Sequence, residues 1–286
     1  MKDKSISFST KKSLFVNGKE ISFSRPLVMG VLNLTTDSFY SGSRNEDPEK
    51  ALSRAEKMIS DGADIIDTGA VSTRPGAVEL PAESELQKLL PVLRELRKRY
   101  PGMILSVDTF RAEVAKRALE EGADIINDIS GGTFDPGMIP LMSGSRAGFI
   151  IMHIQGTPLT MQVDPKYDDV VAEVKNFLFM QARKLKEGGN PNIIIDPGFG
   201  FGKTVEHNYT LLKHLDTFHE AGYPVMAGLS RKSMINKVLH TRPEEALNGT
   251  TVLNTIALLK GANILRVHDV KEAKEVVALV ETYFKV

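Results

Sequence analysis

The chain has 286 residues, 42% hydrophobic and 25% charged, with 36 basic and 36 acidic side chains and a net charge of zero. That balance lacks the basic excess of a general nucleic-acid-binding surface, and the absence of cysteine excludes disulfides, thiol catalysis and cysteine-ligated metals. No apolar run approaches the ~18 residues that span a bilayer, and the N-terminal stretch has no signal-peptide core, so a cytoplasmic protein without membrane or nucleic-acid partners is expected.

Residues 5–9 and 14–16, an Asn17-Gly18 pair, and residues 20–23 predict a β-hairpin. Residues 1–26 are therefore read as a hairpin that caps the N-terminal end of whatever follows, and residues 27–286 as one domain. From Leu27 onward, short Ile/Val/Leu runs alternate with amphipathic stretches. The runs are 27–32, 64–67, 103–107, 124–127, 148–152, 192–195, 224–227 and 263–267, apolar throughout as strands buried on both faces are. Helical spacing marks residues 48–60, 82–99, 111–121, 136–146, 166–187, 206–215, 231–260 and 270–283. Alternating strands and helices in that number predict an α/β fold, a single (β/α)8 TIM barrel preceded by a β-hairpin. The near-repeats DGADIID (61–67), EGADIIN (121–127) and KGANILR (260–266) fit this, each with a glycine closing a helix, a strand, and a polar residue at the strand end: Asp67, Asn127 and Arg266.

Strand ends of a barrel face one mouth, where such folds keep their chemistry. After the first run comes a polar loop with Asn33, after the second Ser-Thr-Arg-Pro-Gly with Thr73 and Arg74, and after the third Asp108-Thr109. Asn127-Asp128, His153, Asp196, Lys232 and the Arg266-Val-His268 triplet end the others. A lone Asp or Asn at such a place is usually a helix cap, and Thr109 and Asp128 read that way; His153 and His207 read as structural. The convergence of Arg74, Lys232, Arg266 and His268 with Asp108, Asn127 and Asp196 on one mouth is what surface decoration would not produce.

These residues form two chemical sets. Asp108, Asn127 and Asp196 suit the hydrogen-bonding edge of an aminopyrimidinone. Asn33, Thr73, Arg74, Arg266 and His268 suit a phosphate or diphosphate, Arg266 and His268 sharing one side of their strand. The loop DPGFGFGKT (196–204) adds a carboxylate, backbone that a ligand can approach, and the flat walls of two phenylalanines.

The motifs MGVLNLTTDSF, DIIDTGAVSTRPGA, SVDTF, IINDISGG, MHIQGTP, DPGFGFGKT, GLSRKS and RVHDV occur in one order and spacing between about Leu27 and Lys274. In this the chain resembles the dihydropteroate synthases of folate biosynthesis. The resemblance implies a transferase that condenses (7,8-dihydropterin-6-yl)methyl diphosphate with 4-aminobenzoate, yielding 7,8-dihydropteroate and diphosphate by dissociative substitution at the pterin methylene. It also implies Mg2+, a homodimer, and sulfonamides as competitive inhibitors. By position, Asn33 matches the family's magnesium-binding residue, and Thr73 and Arg74 its diphosphate contacts. Asp108, Asn127, Asp196 and Lys232 match its pterin set, and Arg266 and His268 its anion site. Phe39, Pro75, Phe201 and Ser233 resemble the surroundings of 4-aminobenzoate. Asn33, Arg74, Asp108, Lys232, Arg266 and His268 are the expected catalytic groups.

Two positions depart from the family pattern: Thr36 stands where proline is usual, and Val71 where glutamate is usual. Three other readings compete with this one. A pterin-binding methyltransferase domain has no need of the diphosphate set, a non-catalytic pterin-binding homologue need not keep Asn33, Arg74 or His268, and a sugar-phosphate barrel is the most generic.

Overall fold

The computed structural model describes residues 13–34, 48–71 and 80–286. The expected strand over residues 5–9 and the departure at Thr36 lie outside them; Val71, at their edge, is half-buried.

Strands β1 (Ser13–Val16) and β2 (Lys19–Ser22) pair antiparallel. Asn17 and Gly18 turn between them with φ of 48° and 82°, the positive values a tight two-residue hairpin needs. The remaining strands are β3 (Leu27–Asn33), β4 (Ile65–Gly69), β5 (Ile104–Asp108), β6 (Ile125–Asp128), β7 (Gly148–Met152), β8 (Ile193–Asp196), β9 (Met226–Ala227) and β10 (Ile264–Val267). They form an eight-stranded parallel sheet in the order β8-β7-β6-β5-β4-β3-β10-β9. An Ile195–Val225 bridge, with the Ile195 amide donating to the Pro224 carbonyl at 2.9 Å, joins the sheet's two edges into a barrel. The run expected over residues 224–227 thus pairs as a two-residue strand at this seam, with Pro224 having no amide to give a ladder.

The helices between the strands are α1 (Pro48–Ser60), α2 (Ala82–Arg99), α3 (Ala112–Glu120), α4 (Met138–Ser143), α5 (Val170–Glu187), α6 (Val205–Lys213), α7 (Ser233–Leu239), α8 (Leu247–Leu259) and α9 (Val270–Lys285). The helix expected over residues 231–260 is in fact two, α7 and α8. His240 ends α7 in the left-handed region with φ 54°, and Arg242 is extended at ψ 162° because Pro243 follows it. In the three near-repeats, Gly62, Gly122 and Gly261 end their helices with φ of 96°, 94° and 91°.

The apparently unbroken apolar runs conceal an alternation. Outward residues such as Ile66, Val107, Ile126, Phe149 and Ile195 pack with the helices in one buried cluster. Inward residues Met29, Ile65, Ile125, Ile150, Ile194, Met226 and Ile264 form a second cluster with Leu14, Val16, Ile21 and Phe23 of the hairpin segment. The hairpin's apolar face therefore covers the lower end of the barrel. One step further along five of the eight strands, the inward residue becomes polar: Asp67, Ser106, Asn127, Asp196 and Arg266 follow Ile65, Ile104, Ile125, Ile194 and Ile264. The barrel interior is oily at the bottom and charged at the top, which places the chemistry.

Candidate active site

Asn33, Gly69, Asp108 and Asn127 are successive register partners across β3, β4, β5 and β6, so they stand in one row on one face of the sheet. One layer below, Asp67 is fully buried, and its Oδ2 accepts from the Asn127 amide at 3.0 Å and from Arg266 Nε at 2.7 Å. Arg266 Nη2 reaches Asp108 Oδ2 at 2.6 Å. One guanidinium thus serves two carboxylates. The Asp67 Oδ1 atom and the hydroxyl of its register neighbour Ser106 are buried and have no hydrogen-bond partner among the described residues. This wall offers acceptor capacity that the chain itself does not use.

Burial raises the Asp108 carboxyl to about 7, against the pull of Arg266 and with the push of Asp67, Glu85 and Asp128. Burial opposes the charge on Arg266, but Asp67 and Asp108 outweigh it and raise its pKa. Across the mouth, burial also raises Asp196, opposed first by Lys232. The Asp196 Oδ1 accepts from the Gly198 amide at 2.8 Å. Burial lowers Lys232 to about 8, with Asp196 pulling the other way. Asp196 and Lys232 flank Gly228, where an added Cβ would lie 3.6 Å from Lys232 Nζ, 3.9 Å from Asp196 Oδ2 and 3.9 Å from the Arg266 Cβ. Gly228 thus lies within van der Waals reach of both side chains and of Arg266.

Lys232 is held by its surroundings. Its ammonium donates to the Phe199 carbonyl and lies 4.8 Å from the centre of the Phe201 ring. Its neighbour Arg231, at φ 56°, forks Asp269 at 2.8 and 2.9 Å and donates to the Pro243 and Glu244 carbonyls. The Ser230 hydroxyl lies 3.0 Å from His268 Nδ1. Together these contacts lock the β9–α7 loop to the end of β10. His268 and Ser233 are exposed at the rim, Ser233 as the first residue of α7.

The β8–α6 loop depends on glycines at 198 and 202, with φ of 71° and 63°. A Cβ at Gly198 would sit 2.0 Å from the His153 carbonyl oxygen, and one at Gly202 would sit 2.5 Å from that of Gln155. Only glycine lets this loop press so closely on the end of β7 while adopting that backbone.

Of the expected site residues, Asn33, Asp108, Asn127, Asp196, Phe201, Lys232, Ser233, Arg266 and His268 all fall at the strand ends or the loops directly after them. Phe39, Thr73, Arg74 and Pro75 lie outside the described residues. Arg266, assigned by its sequence to the phosphate set with His268, is bound to the carboxylates Asp67 and Asp108. The reason is its inward direction on β10, one step above the apolar layer, which points it across the barrel. Thr109 and Asp128 are structural: Thr109 Oγ1 accepts from the Arg111 amide, and Asp128 accepts from the amides of Ser130 and Gly132. His153 is buried and its pKa falls to about 3, chiefly through burial and then through Lys203.

Two residues outside the expected site set take part in the arrangement. Asp67 had a signal, since it ends a strand in a near-repeat whose counterparts Asn127 and Arg266 are the groups it binds. Lys203 had none: a lysine after glycine in a loop looks like a solvated charge. Asn33 is exposed at the end of β3, and its backbone carbonyl accepts from Arg54 at 2.8 Å. Among the described residues, no cluster of three His, Asp or Glu side chains could hold a metal by itself. A single amide oxygen fits Mg2+, which commonly takes few protein ligands and completes its shell with substrate phosphates and water.

A family model described as "Pterin binding enzyme" matches residues 29–268. The dihydropteroate synthase of Escherichia coli strain K12 is 44% identical over 270 residues, covering 94% of this chain and 95% of its own length. The solved structure of Yersinia pestis dihydropteroate synthase in a sulfonamide drug complex superposes with a TM-score of 0.90 at 39% identity, over 96% of this chain and 100% of that one. That of Xanthomonas albilineans dihydropteroate synthase with 4-aminobenzoic acid has a TM-score of 0.90 at 37% identity, over 97% and 100%.

Proposed function

The chain belongs to the pterin-binding enzyme family as a dihydropteroate synthase, and from that premise we propose how its own residues divide the reaction. The enzyme condenses (7,8-dihydropterin-6-yl)methyl diphosphate with 4-aminobenzoate, giving 7,8-dihydropteroate and diphosphate.

The observation that carries the assignment of roles is the wall of Asp67, Asp108, Asn127 and Arg266, faced by Asp196 and Lys232. A dihydropterin is flat and rich in N–H donors on its pyrimidine edge. Asp108 and Asp196 accept from that edge, Asn127 completes it, and Lys232 donates to the ring carbonyl. The carbon–oxygen bond at the methylene breaks as negative charge grows on the leaving diphosphate and positive charge spreads over the ring. The two carboxylates stabilise the cation. Arg74 and His268, with Thr73, receive the leaving group, and such charge stabilisation is often the largest single catalytic contribution. Asn33 would hold Mg2+ together with the diphosphate, and the ion would supply further charge neutralisation there.

The amine of 4-aminobenzoate then attacks the methylene carbon and releases a proton. An arylamine is neutral near pH 7, so no strong base is required. Phe201 borders its ring, supported by the position of that side chain beside Lys232, and Ser233 receives its carboxylate. Phe39 and Pro75 complete this half of the site. Sulfonamides, which mimic 4-aminobenzoate, compete for it.

The enzyme works as a homodimer in this reading. The support is an apolar face on α8 and α9, where Leu259, Leu279 and Tyr283 are 41%, 72% and 66% exposed around a groove of about 460 Å³. A cytoplasmic location is part of the same proposal, supported by the charge of the pterin diphosphate, which does not cross a bilayer unaided.

Formation of dihydropteroate from the two substrates, with diphosphate released, tests the whole. It is expected to require Mg2+ and to be inhibited by a sulfonamide competitively with 4-aminobenzoate. A purified chain that forms no dihydropteroate from the two substrates with Mg2+ would overturn the reading.

A further inference from the structure

Lys203 buries a charge among uncharged partners. The residue is 3% exposed, and its Nζ lies 2.9 Å from the Gly198 carbonyl, 2.9 Å from that of Phe201, 3.2 Å from that of His153 and 3.0 Å from His153 Nδ1. Burial draws its pKa well below the usual lysine range. The neutral His153 ring is an acceptor available to it. Taking an ammonium out of water costs several kcal/mol unless its donors are used in full, and here the surrounding acceptors outnumber its three N–H groups. A leucine or methionine would fill the volume without that cost. What the lysine adds is directional: it ties two points of one loop, Gly198 and Phe201, to His153 after the end of β7.

That loop carries the site. Phe201 presents its ring to Lys232, the Phe199 carbonyl accepts from Lys232, and the Gly198 amide donates to Asp196. Lys203 grips the same loop from the inside, at Gly198 and Phe201. The two lysines clamp it from opposite sides. A third restraint comes from the surface, where exposed Gln162 donates from Nε2 to the Gly200 carbonyl at 2.7 Å.

We propose that Lys203 is a positioning residue for the arylamine half of the site, fixing the Phe201 ring where the two substrates meet. It acts through Phe201 and touches neither substrate. This rests on the reading above that Phe201 borders 4-aminobenzoate.

The test is steady-state kinetics of Lys203→Met, Gln162→Ala and Phe201→Ala, each checked for folding by thermal melting. Lys203→Met keeps the length and apolar stem and removes every donor. Its KM for 4-aminobenzoate is expected to rise about tenfold or more, the scale of one or two lost hydrogen bonds, with KM for the pterin diphosphate changed by less than about threefold. Gln162→Ala, on an exposed side chain that folding does not need, is expected to raise the same constant alone by about threefold. A folded Lys203→Met with a lower melting temperature but unchanged KM for 4-aminobenzoate would reduce the residue to a structural role and overturn the proposal. If Lys203→Met does not fold, Lys203→Gln, which keeps a donor on a shorter stem, takes its place, and an unchanged KM for 4-aminobenzoate in that variant overturns the proposal. Phe201→Ala separates the two layers. An unchanged KM for 4-aminobenzoate there sinks the reading of Phe201 itself, whereas a raised one beside an unaffected Lys203→Met sinks only the role of Lys203.

Discussion

Asp67 and Arg266 lie 199 residues apart in the chain and meet at 2.7 Å in the barrel interior. Asp67 is fully buried, and the same oxygen that receives Arg266 Nε also receives the Asn127 amide. The pterin wall therefore turns on a residue that need not touch the pterin. In Asp67→Asn, Arg266 keeps Asp108 but loses its inner partner. Breaking such a buried pair costs about 3–5 kcal/mol. We expect a lower melting temperature and a fall in kcat/KM for the pterin diphosphate of about 100-fold. Near-wild-type kinetics in the purified variant would show that Asn127 and Arg266 hold their places unaided.

The pH profile follows from two groups on opposite walls. Asp108, raised to about 7, must lose its proton to accept from the pterin edge, so kcat/KM for the pterin diphosphate rises with pH through about 7. Lys232, lowered to about 8, must keep its proton to donate, so the same parameter falls above about 8. The profile is a narrow bell. Asp108→Asn is expected to remove the acid limb and leave the alkaline one, measured with saturating 4-aminobenzoate.

Gly198 and Gly202 test the packing of the β8–α6 loop. Gly198→Ala would drive a Cβ to 2.0 Å from the His153 carbonyl at a φ of 71°, and Gly202→Ala would press on Gln155. Each is expected to destabilise by about 2 kcal/mol or more, both steric and conformational strain contributing. Gly102→Ala, where no atom lies within 4 Å of the added Cβ, is the control and should change the melting temperature little.

Leu279 sits in the middle of the exposed α8–α9 face and is 72% exposed. Placing a charge there puts an ion in the proposed interface at little cost to the monomer, because the side chain is not part of the core. Leu279→Arg is expected to shift the sedimentation coefficient from dimer to monomer while the melting temperature at low protein concentration stays near that of the parent. A wild-type chain that sediments as a monomer would remove the premise.

The strand positions, most helix boundaries and the hairpin were legible because they depend on neighbours. Apolar runs, glycines after helices and the Asn-Gly turn act over a few residues, and α1 and α2 begin and end where their periodicity says. The break at Arg242-Pro243 was equally local, but it was hidden by apolar spacing that continues into α8. The location of the described candidate residues at the strand ends was also readable, since strand ends converge on one mouth in any parallel barrel. Three things were not readable. The alternation inside the strands appears only once the barrel closes, because both faces are covered and the inward face changes from apolar to polar along its height. The pairing of Arg266 with Asp67 and Asp108 depends on the stagger between β10, β4 and β5, which no stretch of sequence contains. The depth of Lys203 depends on how closely two loops approach. Charge placement across a barrel is a property of closure, and burial then sets what each charge can do. The sequence alone determined which residues stand at the ends of the barrel strands; the tertiary structure decided which of the described ones hold one another, because that depends on which strands closure sets side by side.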